Sequence, residues 1–232
     1  MKYDRIVKAT FLDRPNRFLA HVKLEGRIET VHVKNTGRCR ELLIPGTKVI
    51  LEKSGNPARK TKYDLICVNK QGRWINMDSQ APNTAAGEWL QKGMLFPEEA
   101  QIYSERKYGN SRFDLYVESP ARKAFIEVKG VTLEEENVAR FPDAPTERGV
   151  KHVEELIHCM GEGYEAYLLF VIQMKGIQKF QPNWNTHARF GETLRKARDA
   201  GVRILAYDCL VTENTMEIQD PVPIDLEVPH AE

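Results

Sequence analysis

The twenty residues from 111 to 130, SRFDLYVESPARKAFIEVKG, admit few folds. Two apolar runs flank Ser119-Pro120-Ala121-Arg122, a connection of hairpin length. Glu118 then faces Lys123, and partner numbers sum to 241 along both strands. Phe113, Leu115 and Val117 face Val128, Ile126 and Ala124, which makes one side apolar throughout. The other side pairs Tyr116 with Phe125 and Asp114 with Glu127, and Lys129 points the same way. A slip of one residue would turn the carboxylates into the core, so the alternation fixes the register. Apolar residues flank the charges on both faces, as in a central hairpin, where a charge is costly unless it has a task.

Two carboxylates directly opposite each other repel, by about 1 kcal/mol at about 4 Å in water and about 4 kcal/mol at an effective dielectric near 20. A divalent cation offsets that repulsion. Mg²⁺ or Mn²⁺ is the expected ion, since Mg²⁺ commonly takes one or two carboxylates together with waters and phosphate oxygens. A metal held in this way activates water and neutralises a phosphate, and the Lys129 ammonium can stabilise the charged transition state. The pattern predicts Asp114 and Glu127 as metal ligands, and Asp114, Glu127 and Lys129 as the catalytic set of a phosphodiesterase. The alternative is a solvated strand face with a Glu127–Lys129 surface pair.

The remainder of the chain bears on that choice. Its net charge of +1 hides an asymmetry: residues 1–80 hold 17 Lys+Arg against 8 Asp+Glu, a net +9, and residues 81–232 carry −8. A half this basic points to a polyanion, most often nucleic acid, although it could equally face the acidic half of its own chain. With 41% hydrophobic and 29% charged residues, the 232-residue chain can pack one large domain or two small ones. It has no apolar run of about 18 residues and no signal-peptide core, so a cytoplasmic protein away from membranes is expected. Cys39, Cys67, Cys159 and Cys209 are scattered without a CxxC pair, as free thiols of a reducing compartment are. HExxH, GxGxxG and P-loop patterns are missing, which removes zincin, dehydrogenase and kinase readings.

The first eighty residues read as all-β. RFLAHVKLEGRIETVHVKN turns at Glu25-Gly26, and TKVILEK, KYDLICVNK and RWINMD add short strands. About five short strands in this length suggest a small closed barrel of OB type over residues 1–82. Arg17, Lys23, Arg27, Arg38, Arg40, Arg59, Lys60 and Lys62 could give it a basic groove for a phosphate backbone. Double-stranded DNA, bound largely without regard to sequence, is the expected partner. Within NTGRCRELLIPG, the amides near Asn35-Thr36-Gly37 could cradle a phosphate; the alternative is an ordinary loop leading into a short helical turn.

A second, mixed α/β domain is expected over residues 83–232. Its order is a helix over 84–93 capped by Asn83 or Thr84, a strand over 101–108, the hairpin, a helix over 147–161, a buried strand over 164–173, a helix over 189–200 and a strand over 202–207. From Thr212 the chain has six acidic residues, no basic ones and three prolines, and should lie on the surface as an extended segment or a short terminal strand. In FPDAPTERGVKHVEEL, Thr146 can cap a helix that sets Arg148, His152 and Glu155 on one polar face. Arg148, Lys151 and His152 are expected to face the phosphate near the metal; the alternative is an Arg148–His152–Glu155 hydrogen-bond string. Gly149 should permit close approach of a strand or a phosphate backbone. Gln173 could point into the same cleft. Glu88 is a further candidate metal ligand, with Glu98 and Glu99 as rivals. His21 and His32 fall in strands and His230 in the tail, without a role.

Asp114 followed by Glu127-Val128-Lys129 on the next strand resembles the D…(D/E)xK core of restriction-endonuclease-like nucleases, with Phe113 where Pro is frequent. Over the whole chain, NTGRCRELLIPG, SRFDLYVE, FIEVKGVTLEE, ARFPDAPTERGVKHVEEL and LLFVIQ are similar to the sugar fermentation stimulation protein A (SfsA) family. That resemblance implies an OB-like barrel joined to a nuclease-like α/β domain with a mixed central sheet. It also implies cytoplasmic DNA binding linked in bacteria to sugar-utilisation genes, such as those for maltose. Two functions stay open: a metal-dependent DNA nuclease, or a non-catalytic DNA-binding regulator on a nuclease-derived scaffold.

Overall fold

The computed structural model describes all residues except Thr36, Asn110 and 229–232. His230 and the middle of the Asn35-Thr36-Gly37 loop therefore lie outside the described residues.

The basic half forms β1 (Ile6–Asn16), β2 (Leu19–Leu24), β3 (Arg27–Val33), β4 (Lys48–Lys53), β5 (Tyr63–Lys70) and β6 (Arg73–Asn76). Their order is β3-β2-β1-β4-β5-β6, and a β3–β5 pairing closes five of them into a barrel of OB type. The β2–β3 turn falls at Glu25-Gly26, whose φ angles of 50° and 81° are those of the two-residue turns that match strand twist. Alternation locates β2 to β6 but not the eleven-residue β1, whose burial pattern is irregular and whose pairing is broken by bulges. After Arg38 the Cys39 carbonyl accepts from Leu42 N at 3.2 Å and from Leu43 N at 3.0 Å, one short helical turn of the kind considered from sequence.

The second half runs α1 (Ala81–Gln91), β7 (Gln101–Tyr108), β8 (Ser111–Glu118), β9 (Lys123–Val131), β10 (Glu134–Glu135), β11 (Val138–Phe141), α2 (Glu147–Met160), β12 (Glu165–Ile172), β13 (Lys179–Pro182), α3 (Trp184–Asp199), β14 (Arg203–Val211) and β15 (Met216–Pro221). The main sheet is mixed, in the order β15-β14-β12-β9-β8-β7, with β9, β12 and β14 parallel. A small β10-β11-β13 sheet, which no sequence pattern announces, stands apart from it. Helix α1 starts at Ala81, before the expected Asn83 cap, because Pro82 fits a first helical turn. Helix α3 starts at Trp184, five residues earlier than its pattern suggests, and non-helical His187 divides it. The acidic tail contributes β15 as an edge strand, antiparallel to β14.

Apolar side chains of α1 pack on one face of the sheet, and those of α2 and α3 pack on the other in a core continuous with the barrel interior. The two halves also share a buried polar seam. Gln173, 2% exposed at the end of β12, donates to Asn76 Oδ1 at 3.0 Å and to the Asp78 carbonyl at 3.1 Å. Its own carbonyl accepts from Asn76 N at 3.0 Å. Tyr3 Oη donates to Asp78 at 3.2 Å, and Lys34 pairs with the same carboxylate. All four cysteines are buried free thiols. Among the described residues no helix is long and apolar enough to cross a membrane.

Candidate active site

The hairpin register is the expected one from its turn to its middle: Glu118 faces Lys123, Val117 faces Ala124, Tyr116 faces Phe125 and Leu115 faces Ile126. The ladder then stops, one pair short of Asp114 and Glu127. On its other side β8 pairs Leu115 with Ser104 and Phe113 with Arg106, again passing over Asp114 opposite Glu105, whose φ is 55°. Asp114 therefore sits in a break of its strand. Its Oδ2 takes the place of a backbone acceptor, receiving Val128 N at 2.8 Å, and its Oδ1 accepts from Asn83 Nδ2 of α1 at 2.8 Å. The break also turns Phe113 away from the expected apolar face. Its ring lies 5.1 Å from that of Phe125, in the core beneath α2, while Leu115, Val117, Ile126 and Val128 pack toward α1.

Glu127, in the centre of the sheet, is 1% exposed. Its Oε1 is held by both Lys129 Nζ and His152 Nδ1, the latter from α2. Arg148 Nε donates to His152 Nε2 at 3.4 Å. A guanidinium has only donors, so Nε2 must be the acceptor and the imidazole proton sits on Nδ1, facing Glu127. Glu127 Oε2 is buried without a hydrogen-bond partner. Burial pushes the Glu127 carboxyl up, but His152 and Lys129 outweigh it and hold the pKa below the ordinary value. Asp114 goes the other way: burial and then the Glu127 charge raise it, against the Val128 amide, Lys129 and Asn83. Nearby hydrogen bonds and positive charge thus favour the ionised form of Glu127, whereas burial and the neighbouring charge make ionisation of Asp114 more costly.

Helix α2 brings His152 to this point because Thr146 caps it, accepting from Gly149 N at 3.0 Å. A Cβ on Gly149 would stand 2.8 Å from Thr146 and 3.4 Å from Phe190, so the glycine serves the cap and the packing of α3. Gly130, beside Lys129, is equally constrained: a Cβ there would stand 2.6 Å from Gln173 and 2.7 Å from Pro82. The donor set suits an oxygen-seeking ion supplied with two carboxylates, one of them with an orphaned oxygen. Among the described residues no group of three or more His, Cys, Asp and Glu side chains has metal-holding geometry, so water and phosphate would complete the shell.

The other expected site residues lie apart from one another. Glu88 does not join the carboxylates. It is exposed and pairs with the N-terminal ammonium at 2.6 Å. Five residues span about 500° on a helix, so Glu88 lies roughly 140° around α1 from Asn83, the residue that meets Asp114. Arg148 reaches the site through His152, whereas exposed Lys151 borders a separate hollow with Tyr108, Glu154, Glu155 and His158. Gln173 belongs to the seam between the halves rather than to the carboxylates.

On the barrel, Arg17, Arg38 and Arg40 line one concavity with Asn16 and Gly37. Arg14, which no sequence pattern singles out, builds it by donating to the carbonyls of Arg17, Asn35, Gly37 and Arg38 at 2.7–2.9 Å. Arg59 is not a free cation: both its terminal nitrogens are forked onto Asp64 at 2.7 and 2.8 Å. Lys23 lies in another hollow with Lys48 and Trp74, and Lys60 is exposed on the loop before β5. Gly37 also lines a narrow cleft with Ser79, Gly130, Asp143 and Gln173, so it borders both that cleft and the basic concavity.

Residues 12–77 match the family model described as SfsA N-terminal OB domain, and residues 80–215 match that of the sugar fermentation stimulation protein RE domain. A sugar fermentation stimulation protein homolog of Clostridium beijerinckii is 56% identical over 226 residues, 97% of this chain and 100% of its own. One from Desulfitobacterium hafniense is 58% identical, covering 97% of this chain and 99% of its own. The structure of Pyrococcus furiosus SfsA in complex with Ca²⁺ superimposes with a TM-score of 0.87 at 29% identity, over 97% of this chain and 98% of that one.

Proposed function

The chain belongs to the sugar fermentation stimulation protein family, and from that premise we propose that it is a DNA-binding protein with a divalent-metal-dependent phosphodiesterase site at Asp114, Glu127 and Lys129. The observation that carries this reading is Glu127 Oε2, a buried and unpartnered carboxylate oxygen beside a second carboxylate. Such an atom is costly unless something positive is meant to meet it. Asp114 and Glu127 would hold Mg²⁺ or Mn²⁺, which when bound supplies Lewis acidity toward a phosphate and an acidified water. The Pyrococcus furiosus relative was solved with Ca²⁺, an ion with the same preference for oxygen ligands.

The remaining work falls to side chains of the chain itself. His152 fixes the rotation of the Glu127 carboxylate, so that Oε1 is used and Oε2 stays available. Lys129, with 17% of its side chain exposed, can turn from Glu127 to a phosphate oxygen without leaving the pocket. Arg17, Arg38 and Arg40 hold the phosphate backbone from the barrel side.

One observation favours the second reading, a DNA-binding regulator that does not cut. Lys129 pairs with Glu127 and His152 donates to the same oxygen, so one of the two carboxylates already has its cation at rest. The deciding experiment combines titration calorimetry of Mg²⁺ and Mn²⁺ with nicking of supercoiled plasmid, with and without EDTA. Metal binding lost in Asp114→Asn, and EDTA-sensitive nicking lost in Glu127→Ala, are expected. Equal nicking by wild type and Glu127→Ala would mean a contaminant, and absent metal binding would leave the regulator.

A further inference from the structure

The tip of the β1–β2 hairpin presents an aromatic ring to solvent beside the basic concavity. Phe18 is 46% exposed, whereas Phe11, the other phenylalanine of the barrel, is buried. Its backbone is rigidly held: Asn16 Oδ1 accepts from Phe18 N at 2.9 Å and Leu19 N at 3.1 Å, and the Phe18 carbonyl accepts from Val33 N at 2.8 Å. The Arg17 guanidinium lies over the ring, 4.9 Å from its centroid. Arg17 then continues into the concavity of about 410 Å³ that Arg38 and Arg40 also line. None of these three arginines makes a salt bridge among the described residues, unlike Arg59. Single exposed apolar side chains are ordinary on a surface; what distinguishes Phe18 is the guanidinium over its ring and the two further arginines beside it without carboxylates, which leave positive charge for an outside anion.

We propose that Phe18 and Arg17 form a stacking platform for an unpaired nucleobase, so that the barrel selects a single-stranded DNA segment. Arg38 and Arg40 take the flanking phosphates. A ring with a guanidinium alongside suits any base, because every base has a π face, and it gives affinity without sequence preference. A fully paired duplex offers the ring no base face and meets only the arginines. The inference rests on the DNA-binding reading and replaces its expectation of a duplex with a strand that is single-stranded, or frayed, at the barrel. Gly37 borders both the concavity and the cleft that reaches Gly130, so the strand would run from Phe18 toward Lys129.

The test is equilibrium binding in EDTA, without turnover, at about 50 mM salt. Fluorescently labelled probes of about 12 nucleotides are compared: a single strand, its blunt duplex, the same strand lacking bases, and the matching RNA. Wild type is expected to bind the single strand more tightly than the duplex. Phe18→Ala should lose roughly 5- to 150-fold on the single strand, stay within about 2-fold on the duplex, and no longer distinguish the strand with bases from the one without. Phe18→Trp should restore the preference. Duplex binding equal to or tighter than single-strand binding, or equal losses for Phe18→Ala on both, overturns the platform while leaving DNA binding intact. RNA binding tighter than DNA overturns the choice of DNA, and no binding of any probe overturns the DNA reading itself.

Discussion

Replacing Asp114 by asparagine should make the metal-free protein more stable and the metal-loaded protein less stable than wild type. The substitution keeps the shape. The new side-chain carbonyl still accepts from Val128 N, and Asn83 can turn its own amide to match, so both 2.8 Å contacts have successors. What disappears is a charge whose pKa burial and Glu127 hold above the ordinary value. The folded state therefore keeps its proton at pH values where the unfolded chain, with a pKa of about 3.9, has lost it, and stability falls as pH rises through that interval. At neutral pH the ionised group is a net burden. Its removal should return about 1 kcal/mol, the scale of such stability–function conflicts, and below about pH 4 the gain should vanish. For a chain of this size that is about 2–4 °C in thermal midpoint. With Mn²⁺ at about 100 times its dissociation constant, wild type gains about 2.7 kcal/mol, or roughly 5–10 °C, and the Asp114→Asn protein should gain little. The assay is thermal unfolding by circular dichroism in EDTA and in Mn²⁺, at about pH 7.5 and about pH 4. A crossed order at neutral pH is expected. Asp114→Asn melting below wild type in EDTA would exclude a strained Asp114 carboxylate, and equal stabilisation of both proteins by Mn²⁺ would exclude Asp114 as a metal ligand.

Three further outcomes follow from other contacts. His152→Ala strips a donor from a buried carboxylate, and should cost about 3 kcal/mol in urea unfolding; a loss below about 1 kcal/mol would show that Lys129 alone suffices. Arg122 forks onto Glu165 at 2.7 and 2.8 Å and holds its pKa down to about 2, clamping the hairpin turn to β12. Stability from a depressed carboxylate is present above the unfolded value and lost as pH falls through the folded one, so wild type should exceed Glu165→Gln at about pH 6 and converge with it between about pH 4.5 and about pH 2. Because the partners are 29% and 30% exposed, screening limits the difference to about 1 kcal/mol, and a constant gap down to about pH 2 would contradict it. On the barrel, Arg38→Ala should reduce the slope of log affinity against log salt by about 0.9, whereas Arg59→Ala should leave it unchanged, since Asp64 already occupies that guanidinium.

Alternation makes most of the hairpin legible, and it fails where alternation stops governing the backbone. From Leu115 to Glu118 each residue pairs as its parity requires. At Asp114 a side-chain oxygen replaces a ladder acceptor, and no pattern of apolar residues records such an exchange. Phe113 changes sides as a consequence. The His152–Glu127 contact joins residues 25 positions apart on a helix and a strand, so spacing can place His152 near the site but not on that oxygen. Asn83 reads as a cap because its type suits one; its bond to Asp114 depends on how α1 lies against the sheet. Arg59 reads as a free cation, although Asp64 five residues later is a visible partner across the turn into β5. Strands β10, β11 and β13 are two to four residues long, too short for a period to register, and β11 meets β13 from about forty positions away.

The seam between the halves bears directly on what a basic barrel can do for a site in the other domain. If the barrel could swing, affinity gained at Arg38 and Arg40 would concentrate a strand near the protein without orienting it. Only binding energy expressed in a fixed geometry lowers a barrier. Here the link after β6 is pinned rather than flexible: Asn76 and Asp78 are buried, and both are bonded to Gln173. Gln173 in turn presses on Gly130, the residue after Lys129, closely enough that a single added methyl would collide. The barrel is thus braced against the strand end that carries the ammonium, through direct contacts of 3.0 and 3.1 Å. On the proposed function, a phosphate gripped at the barrel therefore has a set position relative to Glu127, and loosening the seam should impair turnover more than binding.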